Sequence, residues 1–161
     1  MSALVNSGLW IAAIGCGVMA GIYFAFSTFV MRALALIPAE RGIAAMQSIN
    51  EVIVSSAFLP LFFGTSIVGL GLAGWSLMRW SEPGAWALLI GGAVYVVGML
   101  GTTVAFNVPL NNSLAALDPT SVEAARFWPD YVQTWTRWNH VRTLASALAS
   151  ALFIVAITAR P

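Results

Sequence analysis

Near the C-terminal end of the chain, Trp135, Asn139, Arg142, Ser146 and Ser150 recur at intervals of three and four residues and so share one face of a helix. Tyr131 and Trp138 flank that face. A stripe of indoles leading to an amide, a guanidinium and hydroxyls suits a pocket for a flat, partly polar molecule. Trp supplies a stacking surface, and Arg a fixed charge that holds a phenolate or enolate. The plainer alternative is an interfacial aromatic belt with Arg142 reaching out to lipid headgroups; an Asn, however, gains nothing by facing lipid. A second polar group lies at Asn107-Val108-Pro109-Leu110-Asn111-Asn112. Asn107 and Asn111 share a face if a helix continues through it, and Pro109 is expected to push Val108 out of helical geometry and stop the helix. His140, the only histidine, lies about 100° round the helix from the Asn139–Arg142 face. Near neutral pH it suits a proton acceptor, or equally a boundary residue bonded to headgroups.

Other chemistries find little support. A zinc, copper or di-iron site wants several His or carboxylate ligands, and the sequence has no Glu-x-x-His and no acid within its apolar runs. No metal site is therefore expected, an axial haem ligand at His140 being the one alternative. Cys16 is the single cysteine; it excludes an intramolecular disulfide and reads as a small buried residue. Gly15-Cys16-Gly17 and Gly69-Leu70-Gly71 lie inside apolar runs, where helix packing explains them better than phosphate binding. Seven basic and six acidic residues leave a net charge of +1, which offers no field for nucleic acid.

The elements that position these residues are set by apolar content. Hydrophobic residues make up 60% of the 161-residue chain and charged ones 8%, against roughly a quarter charged in soluble domains. A span needs about 20 mostly apolar residues. Residues 9–31, 52–78, 85–106 and 141–159 supply four, the second interrupted by Pro60. The expectation is an all-α, single-domain protein over residues 1–161, a transmembrane four-helix bundle. The first run is too long for a signal-peptide core and lacks a basic flank, so it reads as a retained span.

Spans two and three are joined by a tight turn, Arg79 to Gly84, whereas the 1–2 and 3–4 connections are long. With four crossings, both long connections lie on one face, giving a plain end and an elaborate end. Each long connection carries signals for a short interfacial helix. Pro38 and Glu40 precede Ile43, Met46, Ile49 and Ile53 at helical spacing. Asp118-Pro119 reads as an N-cap with Pro at the first helical position, and Pro129-Asp130 as the start of a further helix running into span four. Ala13, Gly17, Gly21 and Ala25, then Gly64, Gly71 and Gly74, then Gly91, Gly98 and Thr102 form small-residue stripes that allow close helix approach within a bundle or in a homo-oligomer. Arg32 and Glu51, ending span one and starting span two, either pair or mark the water boundary. Five arginines lie towards the elaborate end and two towards the plain end, which by the positive-inside rule puts the elaborate end in the cytoplasm. Without Arg32 and Arg142 the bias is three to two.

Three segments together resemble the anthrone oxygenase-like family of membrane proteins. They are Gly21-Ile22-Tyr23-Phe24-Ala25-Phe26-Ser27 with Val30-Met31, then Asn107-Val108-Pro109-Leu110-Asn111, then Trp135 with Trp138-Asn139-His140-Val141-Arg142-Thr143. The resemblance spans essentially the whole chain and implies a multi-pass protein of a bacterial inner (plasma) membrane. It implies oxidation of an anthrone to an anthraquinone by O₂ without metal or flavin, so that no cofactor is expected. On that footing His140 is the base, Arg142 with Asn107 or Asn139 holds the oxyanion, and Trp135 stacks on the rings. Trp138, Tyr131, Asn111, Tyr23 and Arg32 complete the expected substrate-binding set. Arg32 stands where the family usually has proline, a departure that bears on substrate or on helix exit.

The sequence therefore favours an oxygenase acting on a lipophilic anthrone- or hydroquinone-like aromatic, its partners being the lipid bilayer, that substrate and O₂. A non-catalytic quinone-binding or transport protein, or an accessory subunit of a larger membrane complex, are the alternatives; the first shares the same aromatic pocket with Arg and Asn.

Overall fold

A computed structural model describes residues 3–159. The chain is helical throughout, and among the described residues it contains no strand. Four helices are long and apolar enough to cross a membrane: Leu4–Leu36, Phe58–Met78, Ala85–Ala115 and Val122–Thr158. The first comprises α1 (Ala3–Ala25), a π-helical stretch (Phe26–Val30) and α2 (Met31–Leu36). An amphipathic helix α3 (Ala39–Val54) follows, then α4 (Phe58–Met78). The third span comprises α5 (Ala85–Val94), two π-helical stretches (Tyr95–Gly101 and Thr103–Asn107) and α6 (Val108–Ala115); the fourth is the single helix α7 (Val122–Thr158). Each span packs on its sequence neighbours, and α7 closes the ring on α1, so the bundle runs up, down, up, down.

Local chemistry explains where the elements start and stop. Pro38 precedes α3, and its carbonyl accepts from the Arg41 and Gly42 amides at 2.9 and 3.0 Å. The apolar spacing behaves as expected, with Ile43 and Met46 fully buried. The second span, by contrast, begins at Phe58 rather than at residue 52. Residues 52–54 finish α3, and the Ser55 and Ser56 hydroxyls then donate to the Val52 and Ile53 carbonyls at 3.0 and 2.8 Å. Such local side-chain bonds compete with the helical ladder and break it. Pro60 therefore falls in the first turn of α4, where no intrahelical N–H bond exists to be lost.

Three expected helix boundaries move. Val108 keeps helical geometry at φ −64°, ψ −47°, and the third span runs through Pro109 to Ala115. The π-helical turns just before it shift the bonding register, so the missing Pro109 N–H deprives the helix of little. At α7 the N-cap is Ser121, whose Oγ accepts from the Ala124 amide at 3.1 Å. Asp118 instead closes the preceding turn, accepting from the Thr120 amide and hydroxyl at 2.9 and 2.8 Å. Those bonds hold its carboxyl below the usual carboxylate range. Pro129 does not start a helix either, since α7 runs straight through it. An interior Pro costs about 3 kcal/mol, and the burial of Trp128, Tyr131 and Trp135 on that helix offsets it.

The bundle has two apolar clusters. The larger holds Leu9, Cys16, Met19, Tyr95, Met99 and Phe153 at the plain end and middle. The smaller packs α3 and α6 onto the first half of α7 through Met31, Ile43, Met46, Leu114, Trp128 and Tyr131. Helix approach between spans two and three rests on Gly92: a Cβ there would stand 2.5 Å from the Gly69 carbonyl oxygen and 2.8 Å from Ala73 Cβ. Gly21, Gly64, Gly71 and Gly74 meet nothing within 4 Å, so those parts of the small-residue stripes face outward. Gly84, at φ 79°, makes the tight turn that only glycine adopts readily.

Candidate functional site

On α7, Tyr131, Trp135, Asn139, Arg142 and Ser146 are all buried on one face, the face that the three- and four-residue spacing defines. Ser150 follows and donates to the Ala13 carbonyl at 2.8 Å, tying α7 to α1. Opposite this face, α1 turns π-helical at Phe26. A π turn bonds each amide five residues back rather than four, which leaves a carbonyl at its entry without the usual partner. Asn139 Nδ2 donates to the Tyr23 carbonyl and to the Ser27 hydroxyl, each at 2.7 Å. Its Oδ1 is thereby turned towards Arg142, whose Nη2 donates to it at 2.7 Å.

Arg142 is 5% exposed. Its guanidinium carbon lies 4.4 Å from the centre of the Tyr23 ring and 4.9 Å from that of Trp135. Cation–π contacts of this kind are worth about 2 kcal/mol when desolvated, less than the several kcal/mol it costs to bury a cation. Arg142 Nε is buried and has no hydrogen-bond partner.

The guanidinium faces a cavity of about 210 Å³. Tyr23, Phe26, Phe58, Phe62, Phe63 and Trp135 give it aromatic walls, and Asn50, Thr103, Asn111 and Arg142 are its polar lining; no carboxylate lines it. Asn111 is tied to the wall, its Oδ1 accepting from the Trp135 indole at 2.8 Å and from the Tyr131 hydroxyl at 2.9 Å. The Thr103 hydroxyl is spent on the Met99 carbonyl at 2.8 Å. Val54, Phe63, Val104 and Val108, also on the wall, are exposed on the outer surface between spans two and three. Those two spans pack along α4, α5 and the first π-helical stretch, while α4 leaves the Thr103–Asn107 turn uncovered.

The expected site residues divide. Tyr23, Asn111, Trp135 and Arg142 line the cavity. Asn139 stands behind it and fixes Arg142. Asn107 is buried, donates through Nδ2 to the Trp135 carbonyl at 3.2 Å and has Oδ1 unpartnered. Tyr131 is buried and reaches the cavity edge through Asn111. Three others stand apart. His140 is exposed and outside the cavity lining. Trp138 stacks on Phe106 at 3.7 Å and an interplanar angle of 5°, also outside it. Arg32 is exposed on the turn after the π-helical stretch, and Glu51 is exposed on α3. Asn50, Thr103, Phe26, Phe58 and Phe62 were not anticipated. Asn50 carried a signal, as the polar residue at i+4 from Met46 on the apolar face of α3. Among the described residues no group of three or more His, Cys, Asp or Glu is placed to hold a metal ion.

Fold and site together define a multi-pass helical membrane protein with a buried, acid-free arginine in an aromatic cavity. Residues 52–152 match the family model described as anthrone oxygenase, and the chain belongs to that family. The matched stretch contains Asn107, Asn111, Trp135, Asn139 and Arg142, while Tyr23 and Asn50 lie before it. No curated protein and no solved structure matches the chain.

Proposed function

We propose that the protein is a cofactor-independent membrane oxygenase that converts a lipophilic anthrone-like aromatic to the corresponding quinone with O₂. The observation that carries this reading is the Arg142 guanidinium: it lacks a carboxylate partner, holds a free Nε donor and faces a cavity walled by aromatic rings. An arginine so placed binds an oxyanion. An opposite charge within about 4–6 Å lowers a group's pKa by roughly 1–3 units, which is what an anthrone needs to lose a C–H proton and become its enolate.

The chemistry then follows from the substrate. The ring C–H proton leaves to water, and the negative charge rests on the ring oxygen against Arg142. The electron-rich carbon across the central ring gives an electron to O₂, and the two radicals combine as a carbon-bound peroxide that takes up a proton. Loss of the second C–H proton with cleavage of the O–O bond forms the new carbonyl and releases water. One anthrone and one O₂ become one quinone and one water. His140, exposed on another face of α7, is not needed as the base. Asn139 orients Arg142 through the 2.7 Å bond, and Tyr23 and Trp135 hold the guanidinium between their rings. The apolar opening beside Phe63 and Val104 suits entry of substrate and O₂ from the bilayer.

The test is O₂ uptake and quinone absorbance with detergent-purified protein and emodin anthrone. The expected result is conversion well above the uncatalysed rate with one O₂ consumed per anthrone, lost on Arg142→Ala. Wild-type protein that does not exceed the uncatalysed rate would overturn the reading.

A further inference from the structure

Among the described residues lining the cavity, two have buried side-chain donors without a hydrogen-bond partner, Arg142 through Nε and Asn50 through Nδ2. They stand at different levels of the bundle. Arg142 lies against the face of the Trp135 ring. The indole N–H of Trp135 points away to Asn111, whose Oδ1 also takes the Tyr131 hydroxyl, and Asn50 stands near enough to that hydroxyl to interact with it, although its Nδ2 completes no hydrogen bond. Tyr131 and Arg142 are separated by about 16 Å of rise along α7. The side chains close most of that distance: the guanidinium lies 4.9 Å from the centre of the Trp135 ring, whose indole N–H is 2.8 Å from Asn111 Oδ1, itself 2.9 Å from the Tyr131 hydroxyl. The two free donors thus stand at either end of this run of contacts, both on the lining of one largely apolar cavity.

We infer that the cavity takes a ring system with an oxygen function at each end, Arg142 holding the oxygen the substrate brings and Asn50 hydrogen-bonding the oxygen the reaction installs. This rests on the oxygenase reading. In an anthrone the ring oxygen and the reacting carbon face each other across the central ring. With the oxyanion on Arg142, the carbon that acquires oxygen points towards Asn50. The amide then donates first to the carbon-bound peroxide and finally to the new carbonyl. Asn50 touches the reacting atoms, comes from the interfacial helix α3 rather than from a span, and distinguishes product from substrate.

The experiment is an anaerobic titration of the detergent-solubilised full chain, followed by quenching of tryptophan fluorescence, with emodin anthrone and with emodin. The pair differs at the carbon that the reaction oxygenates. Wild type is expected to bind the quinone about two- to tenfold more tightly, the range of one net hydrogen bond. Asn50→Leu removes that preference and leaves the anthrone affinity unchanged, which also reports that the cavity has folded. Should Asn50→Leu not yield folded protein, Asn50→Asp, which replaces the donor by an acceptor, is expected to reverse the preference. A preference that survives either variant, a parallel loss of both ligands in folded protein, or no binding of either ligand to wild type overturns the inference. An Asn50-dependent preference without O₂ uptake leaves the two-ended site standing and removes the oxygenase reading. O₂ uptake with no such preference does the reverse.

Discussion

Arg142 Nη2 donates to Asn139 Oδ1 at 2.7 Å, one turn apart on α7, while the same amide is anchored across the bundle on the Tyr23 carbonyl. A π-helical turn in span one, an amide in span four and the buried cation are therefore one unit. The amide neutralises no charge, so the guanidinium keeps its full charge for whatever enters the cavity.

That relationship predicts different outcomes for two Asn139 variants. Asn139→Asp gives Arg142 a carboxylate in place of the amide oxygen; the bundle should form, while affinity for an ionised hydroxyanthraquinone falls at least tenfold. Asn139→Leu leaves the Tyr23 carbonyl and the guanidinium without these bonds and should lower stability by about 1–3 kcal/mol for each group left unpaired. Ligand titration and thermal unfolding in detergent separate the two. Equal ligand affinity in wild type and Asn139→Asp would show that the charge is not used.

Arg142 itself is expected to contribute mainly in the transition state. Arg142→Ala should lower kcat about a hundredfold or more, the usual loss when one oxyanion donor is removed. Arg142→Lys keeps the charge but not the planar fork between Tyr23 and Trp135, and should recover part of it. Steady-state quinone formation checks both.

His140→Ala should leave kcat/KM within about twofold of wild type, as expected of a surface substitution away from the site. A drop of a hundredfold would return His140 to the role of base.

Asn111→Leu leaves two buried donors, the Tyr131 hydroxyl and the Trp135 indole, without their shared acceptor. Each unpaired group costs about 1–3 kcal/mol, so the thermal midpoint should fall clearly. Gly92→Ala should also destabilise, by about 1–3 kcal/mol, because the new Cβ meets the Gly69 carbonyl. Thermal unfolding checks both variants, and an unchanged midpoint in either contradicts the packing described.

Much of this was legible in the sequence. The four spans follow from apolar run length alone, and the buried face from Trp135 to Ser146 follows from spacing. What spacing cannot show is how the ladder is broken. The Ser55 and Ser56 bonds that end α3 are local, but apolar run length passes over them; the π-helical turns before Asn107 and in span one, and the continuity through Pro129, depend on neighbours brought close only by folding. The same limit explains the site. The offset of about 100° between His140 and Asn139 was legible, but not that the cavity would leave His140 outside. Asn50 is remote in sequence from α7 and reaches the cavity only because α3 folds back over the bundle.

The central claim is that Arg142 binds an oxyanion, and the acidity of a bound chromophoric hydroxyanthraquinone tests it most directly. Emodin changes colour when its phenol ionises, so a pH titration of the protein-bound dye reads its pKa. With wild type that pKa should lie roughly 1–3 units below the value in empty detergent micelles, and Arg142→Gln should return it to the micelle value. A bound dye that titrates as in micelles, or a depression that persists in Arg142→Gln, would contradict the account.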